Sequence, residues 1–228
     1  MRLGDDGRKN KVLLTLAGEA LLRRTVRVFQ LHPAIQSIRI IARTEDFDAL
    51  GKALADTSNW TKLGAPIPGG EERQDSVRLG TDALARQDPP DWVLVHDGAR
   101  PLCSQELVQR VLESLAVHEA VVPVLPVFDT VRSATASHVS SGVVDRAGLR
   151  LTQTPQGFRW NTLRKAHERA LQQGLRATDD AKLVEAMGIP VALVPGERRN
   201  LKITVPEDLD LAEWIADHPE WGRELPVI

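Results

Sequence analysis

Chemistry-bearing residues are densest in Val95-His96-Asp97-Gly98-Ala99-Arg100-Pro101, where a carboxylate and a guanidinium follow an apolar run. Asp97 falls just past the carboxyl end of the strand expected at Trp92–Val95, the place where open α/β sheets bind ligands. Arg100 offers a planar fork to a phosphate or carboxylate, and Pro101 stiffens the loop by holding its predecessor near extended geometry. On its own this segment reads equally well as a helix cap or a local Asp97–Arg100 pair.

A second candidate is Gly69-Gly70-Glu71-Glu72-Arg73-Gln74-Asp75-Ser76-Val77. The two glycines let backbone approach a ligand, and the chain then enters a helix whose first N–H groups favour acceptors or negative charge. Ser76 lies in the first turns with a hydroxyl to offer, although an ordinary loop followed by a serine in a helix has the same pattern. Basic residues recur at Arg2, Arg8, Lys9 and Lys11 in a polar, glycine-containing opening, and at Lys202 in Asn200-Leu201-Lys202-Ile203-Thr204. Both sites suit phosphate oxygens; a solvated terminus and a strand-edge lysine are the plainer readings.

Positioning these groups requires alternating strands and helices. Strands are expected at Ile38–Ala42, Leu63–Ile67, Trp92–Val95, Val121–Leu125, Val191–Val194 and Asn200–Thr204. Helices are expected at about Glu19–Gln30, from a Thr44 cap to Leu54, after Gly70, from a Ser104 cap to Val117, and at Trp160–Gln172. Two more begin at Thr178 and at Pro206. The alternation predicts one α/β domain over 1–228, doubly wound around a mainly parallel sheet. Between Pro126 and Gly148 the pattern breaks into two β-rich segments, read as a protruding β-arm that packs on something else, such as another subunit.

Composition narrows the class. The 29 basic and 31 acidic residues nearly cancel, which argues against a nucleic-acid or membrane-surface partner and requires local groups to hold any anion. The single Cys103 excludes an intrachain disulfide and a cysteine-rich zinc site, and it points to a reducing compartment. With no apolar run long enough to span a bilayer and no apolar signal core, the expected location is cytoplasmic.

These blocks, in this order, resemble the 2-C-methyl-D-erythritol 4-phosphate cytidylyltransferases. The likeness rests on Asn10-Lys11-Val12-Leu13-Leu14, Gly69-Gly70 through Asp75-Ser76-Val77, Val95 to Pro101, Asp129-Thr130, Asp145-Arg146, Thr154-Pro155-Gln156, Thr178-Asp179 and Asn200 to Thr204. It implies a Rossmann-like nucleotidyltransferase that joins CTP to a polyol phosphate and releases pyrophosphate. It further implies Lys11 and Lys202 as catalytic charge stabilisers, with Arg2, Gly70, Glu71, Ser76 and Asp97 on the nucleotide. Glu71 stands where many members carry Asp. Arg100, Thr130, Arg146, Thr154 and Thr178 are implied on the sugar-phosphate side, with a homodimer formed through the arm. The implied cofactor is Mg²⁺, held mainly by phosphates with Asp97 nearby. A cytidylyltransferase for another polyol phosphate, such as ribitol 5-phosphate, shares much of the pattern.

The family pattern also has a strand and a glycine-rich loop ahead of the first matched block. The sequence here opens at Met1-Arg2-Leu3-Gly4, and Arg2 lies farther from Lys11 than that pattern has it. The expectation is a natural start upstream, with neighbouring strand edges left open in the given chain. A catalytically silent nucleotide-binding form is the alternative.

Overall fold

A seven-residue strand with both faces covered lies at the centre of the molecule. In the computed structural model, which describes residues 10–57, 59–86 and 89–222, this strand is Ala120–Pro126. Its side chains alternate between two cores. Val122 and Val124 pack with Phe158, Leu163 and Val184, whereas Val121 packs with Leu107, Val108, Val111 and Leu115.

In chain order, a 3₁₀ turn at Lys11–Leu13 precedes β1 (Thr15–Leu16), β2 (Glu19–Ala20), α1 (Leu21–Leu31), β3 (Ile41–Ala42), α2 (Phe47–Ala53) and β4 (Ile67–Pro68). Next come α3 (Arg73–Ala85), β5 (Trp92–Val95), α4 (Gln105–Leu115), β6 (Ala120–Pro126), β7 (Val131–Ala134) and β8 (Ser140–Val144). The chain continues with β9 (Arg150–Thr152), β10 (Gln156–Arg159), α5 (Trp160–Gln173), α6 (Asp180–Glu185), β11 (Ala192–Pro195) and α7 (Pro206–Asp217).

The α/β architecture is the expected one, and the sheet at its centre is mixed. Its order is β11-β6-β10-β5, with β9 pairing the far end of β6. Only β11 runs parallel to β6; β10 lies antiparallel to both β6 and β5. The reversal follows the arm, after which the chain re-enters the sheet as β9 at Arg150, already antiparallel to β6, and continues into β10 at Gln156. β10 sits directly against α4: a Cβ on Gly157 would lie 2.6 Å from a Val111 methyl and 2.7 Å from one of Leu115.

Several local expectations shift. The strand near Leu63–Ile67 reduces to Ile67–Pro68, with Leu63 making a single parallel bridge to Ile38. Asn200–Thr204 is not a strand: its backbone is tied to neighbouring loops, as in Ile203 N–H to Ala99 O at 2.9 Å, in place of a ladder. At α6 the cap is Asp179, whose carboxylate accepts from Lys182 N–H at 3.0 Å, and not Thr178. Ser104 does cap α4, accepting from Leu107 N–H at 2.9 Å.

The arm expected at 126–148 contains an antiparallel hairpin, β7 on β8, with a bulge near Ser133. Val139 and Val143 on it, and Phe128 at its base, are each about 60% exposed. Among the described residues β3 pairs only with β4 and β5 only with β10, so each keeps an edge without a strand partner. Residues of both edges border one cleft of about 830 Å³. No helix among the described residues is long and apolar enough to cross a membrane.

Candidate active site

The cleft has a polar mouth and an apolar floor. Asn10, Asp46, Gly69, Gly70, Arg73, Ser76 and Asp97 line its polar part, while Phe29, Ile38, Leu84 and Val93 line its interior. Much of it lies between the edges of β3 and β5 that lack a strand partner among the described residues.

Asp97 is the electrostatic centre of the mouth. Lys202 Nζ lies 3.1 Å from its carboxylate, Arg100 Nε 3.3 Å and Arg73 Nε 3.9 Å. Burial alone would raise its pKa, but Lys202, then Arg100 and Arg73, outweigh it and hold the carboxyl below the ordinary aspartate range. Arg73 also pairs with the fully buried Asp180 at 2.7 Å. Three cations therefore surround Asp97, an arrangement suited to a polyanionic ligand. Lys202 is the more exposed member: its side chain is 43% exposed, against 11% for Arg100.

Side chains far away in sequence fix the loop carrying Asp97. Asp97 N–H donates to the Thr154 hydroxyl oxygen at 3.1 Å. That hydroxyl then donates to His96 Nδ1 at 3.0 Å, which leaves His96 Nε2–H to face Arg100 O at 3.4 Å. The chain of bonds assigns a neutral Nε2–H imidazole. Burial drives the pKa of His96 down to about 4, so it stays neutral at ordinary pH. On the other side Arg100 donates to Asn200 O at 2.7 Å, and the Asn200 side chain donates to Thr154 O at 2.8 Å.

At the glycine-rich turn, Gly70 N–H donates to Ser76 Oγ at 3.1 Å and the Ser76 hydroxyl reaches Glu72 O at 3.1 Å. A Cβ on Gly70 would lie 2.4 Å from that of Asp75, so only glycine fits this turn. Glu71 is exposed beside the turn.

The structure therefore brings Gly70, Ser76 and Asp97 onto one cleft, and joins Asp97 to Arg100, Thr154 and Lys202. Arg100 and Thr154 are buried and support the Asp97 loop through the bonds above. Lys11 opens the 3₁₀ turn next to Asn10, which lines the cleft and donates to Asp46 at 3.0 Å. Thr130, Arg146 and Thr178 are exposed; Thr130 and Arg146 lie on the arm, where Arg146 bonds Phe128 O. Arg2 lies outside the described residues.

Sequence reasoning passed over Arg73 and Asp180. A cation in the first turn of a helix opposes the helix dipole, and that mismatch was the available sign that Arg73 has an anionic partner. Among the described residues no group of three or more His, Cys, Asp or Glu side chains could hold a metal ion.

The family model of 2-C-methyl-D-erythritol 4-phosphate cytidylyltransferase, IspD, matches residues 2–218. The chain belongs to this family. It is 40% identical over 210 residues to the 2-C-methyl-D-erythritol 4-phosphate cytidylyltransferase of Syntrophotalea carbinolica, covering 92% of this chain and 89% of that one. It is 45% identical over 199 residues to the bifunctional enzyme IspD/IspF of Rhodospirillum rubrum, covering 87% of this chain but only 50% of that protein. Among solved structures, that of the Thermus thermophilus family enzyme superimposes with a TM-score of 0.76 at 39% identity, over 91% of this chain and 94% of that one. The Anaerococcus prevotii synthase gives 0.81 at 26% identity, over 90% and 93%. The family's name describes a nucleotidyl transfer, for which the cationic mouth beside a glycine-lined turn is suited.

Proposed function

We infer that this chain transfers the cytidylyl group of CTP to 2-C-methyl-D-erythritol 4-phosphate, with release of pyrophosphate. Family membership over residues 2–218 carries the reading, and the Asp97–Lys202 pair, with Asp97 and the Gly70–Ser76 turn lining one cleft, supports it. A phosphate oxygen of the polyol attacks the α-phosphorus of CTP, the bond from that phosphorus to the bridging β-oxygen breaks, and its electron pair leaves with pyrophosphate. Negative charge builds on the non-bridging oxygens, so the protein acts by placement and charge neutralisation.

In this reading Lys11 and Lys202 supply that neutralisation. Lys202, exposed and resting on Asp97, exchanges its carboxylate partner for a phosphate oxygen when the substrates bind. Gly70, Glu71 and Ser76 present backbone groups and a hydroxyl to the cytosine edge, and Arg2 reaches the triphosphate. With no cluster of three protein ligands among the described residues, Mg²⁺ would be bound chiefly by phosphate oxygens with Asp97 as a protein ligand, and would neutralise and orient the triphosphate. Arg100 and Thr154 shape the sugar-phosphate side from beneath. Thr130, Arg146 and Thr178 complete it in a homodimer, where the arm of one protomer reaches its partner; the exposed Phe128, Val139 and Val143 support this. The chain is read as one nucleotidyltransferase domain working in the cytoplasm, where CTP is made.

The test is pyrophosphate release by the purified chain with CTP, Mg²⁺ and either 2-C-methyl-D-erythritol 4-phosphate or ribitol 5-phosphate. Turnover of the first at a kcat/KM at least about tenfold higher supports the reading, a margin of roughly 1.4 kcal/mol in transition-state binding. Preference for ribitol 5-phosphate, or CTP binding without release, contradicts it.

A further inference from the structure

Asn200 carries none of the roles assigned above, yet it is bonded to Arg100 and Thr154, the two residues that support the Asp97 loop. It is fully buried. Its side-chain N–H donates to Thr154 O at 2.8 Å. That side-chain N–H group also reaches Gln153 Oε1 at 3.4 Å, while the main-chain carbonyl of Asn200 accepts from Arg100 Nη1 at 2.7 Å and from Gln153 Nε2 at 3.3 Å. Its own N–H closes a turn on Glu197 O at 3.0 Å. Three segments distant in sequence meet at this one residue.

The far ends of those bonds converge on Asp97. Thr154 Oγ1 accepts from Asp97 N–H, Arg100 Nε reaches the Asp97 carboxylate, and Lys202, two residues after Asn200, places its ammonium on that carboxylate. Thr154 and Arg100 each link Asn200 to Asp97 through one intermediate residue. The segment carrying Lys202 is not held by a strand ladder, so the bonds of Asn200, with Ile203 N–H to Ala99 O, set where the lysine stem leaves the backbone.

We propose that Asn200 is a positioning residue for the transfer step, tying the Lys202 segment to the Thr154 and Arg100 loops so that the ammonium meets the reacting phosphate. The proposal rests on the function inferred above and deepens it. A displacement of about 1 Å at such a group costs on the order of 10²-fold in rate. An effect acting through Lys202 disappears when Lys202 is removed, and a merely structural effect does not.

The experiment is a double-mutant cycle on kcat with Asn200→Ala, Lys202→Ala and the combined variant, with KM for CTP and thermal midpoint measured alongside. Asn200→Ser is carried in parallel in case the alanine variant fails to fold. The expected result is a fall in kcat of about 10–100-fold for the Asn200 variant, with KM for CTP within about threefold, and a change of under about threefold in the Lys202→Ala background. An equal fall in both backgrounds, a loss expressed only in the thermal midpoint, or unchanged kcat overturns the positioning role. Absence of turnover in the unmodified chain overturns the functional reading beneath it; normal turnover with additive losses, or full turnover in Lys202→Ala, overturns the positioning role alone.

Discussion

Lys202 Nζ rests 3.1 Å from the Asp97 carboxylate, bringing the loop after β5 and the segment before α7 to one point at the mouth of the cleft. Asp97 is also within 3.9 Å of Arg73 and 3.3 Å of Arg100, so its charge holds three cations together. Asp97→Asn keeps the size of the side chain and removes that charge. The expected outcome is a fall in kcat/KM of about 10²-fold or more, because both the nucleotide side and the resting place of Lys202 are lost. The thermal midpoint should also fall, since Lys202 and Arg100 lose their carboxylate partner while Arg73 keeps Asp180. Steady-state kinetics with varied CTP, together with a melting curve, check both.

Gly70→Ala tests the glycine-rich turn. The new methyl would lie 2.4 Å from the Asp75 Cβ, so the turn must shift and carry the Gly70 N–H off Ser76 Oγ. KM for CTP should rise about tenfold or more, while KM for the polyol phosphate stays within about twofold, a difference of roughly 1.4 kcal/mol or more confined to the nucleotide. Equal changes in both KM values would contradict the assignment of this turn to cytidine.

Acid stability follows from His96. Its folded-state pKa is lowered to about 4 by burial, against 6.5 when unfolded. The folded protein therefore binds fewer protons than the unfolded chain between those values. The stabilisation from keeping His96 neutral is fully present above the unfolded pKa of 6.5 and is lost as the pH falls towards about 4, to the extent of about 2–3 kcal/mol. Urea midpoints measured from about pH 7 to about pH 4 should fall for the unmodified protein and fall less steeply for His96→Gln.

The exposed apolar residues of the arm call for a covering surface. In the homodimer proposed above, Val143→Asp should convert the dimer into a monomer in sedimentation velocity and lower turnover by removing the proposed contribution of Thr130 and Arg146 to the partner's site. The fold itself should persist, because Val143 is 60% exposed and touches no core cluster.

What was legible in the sequence was mostly local. Trp92–Val95 reads as a strand ending in chemistry because apolar residues give way at once to His96 and Asp97, and Ser104 reads as a cap because its spacing to the apolar face of α4 is helical. The direction of β10 was not legible: Gln156–Arg159 has no periodicity that encodes orientation, and its antiparallel placement depends on where the arm returns the chain. Arg100 was expected to reach a ligand from the loop, but its guanidinium is buried against Asp97 and Asn200 O, a partner invisible to any local pattern. The pairing of Arg73 with Asp180 hides for the same reason, since tertiary folding alone brings α3 and α6 together.

The most direct test of the central claim is the single-turnover rate of CDP-polyol formation by Lys202→Ala, with CTP, Mg²⁺ and 2-C-methyl-D-erythritol 4-phosphate at saturation. The account predicts a rate at least about 10²-fold below that of the unmodified chain, with CTP still bound and the melting curve little changed. An undiminished rate would show that the Lys202 ammonium plays no part in the transfer.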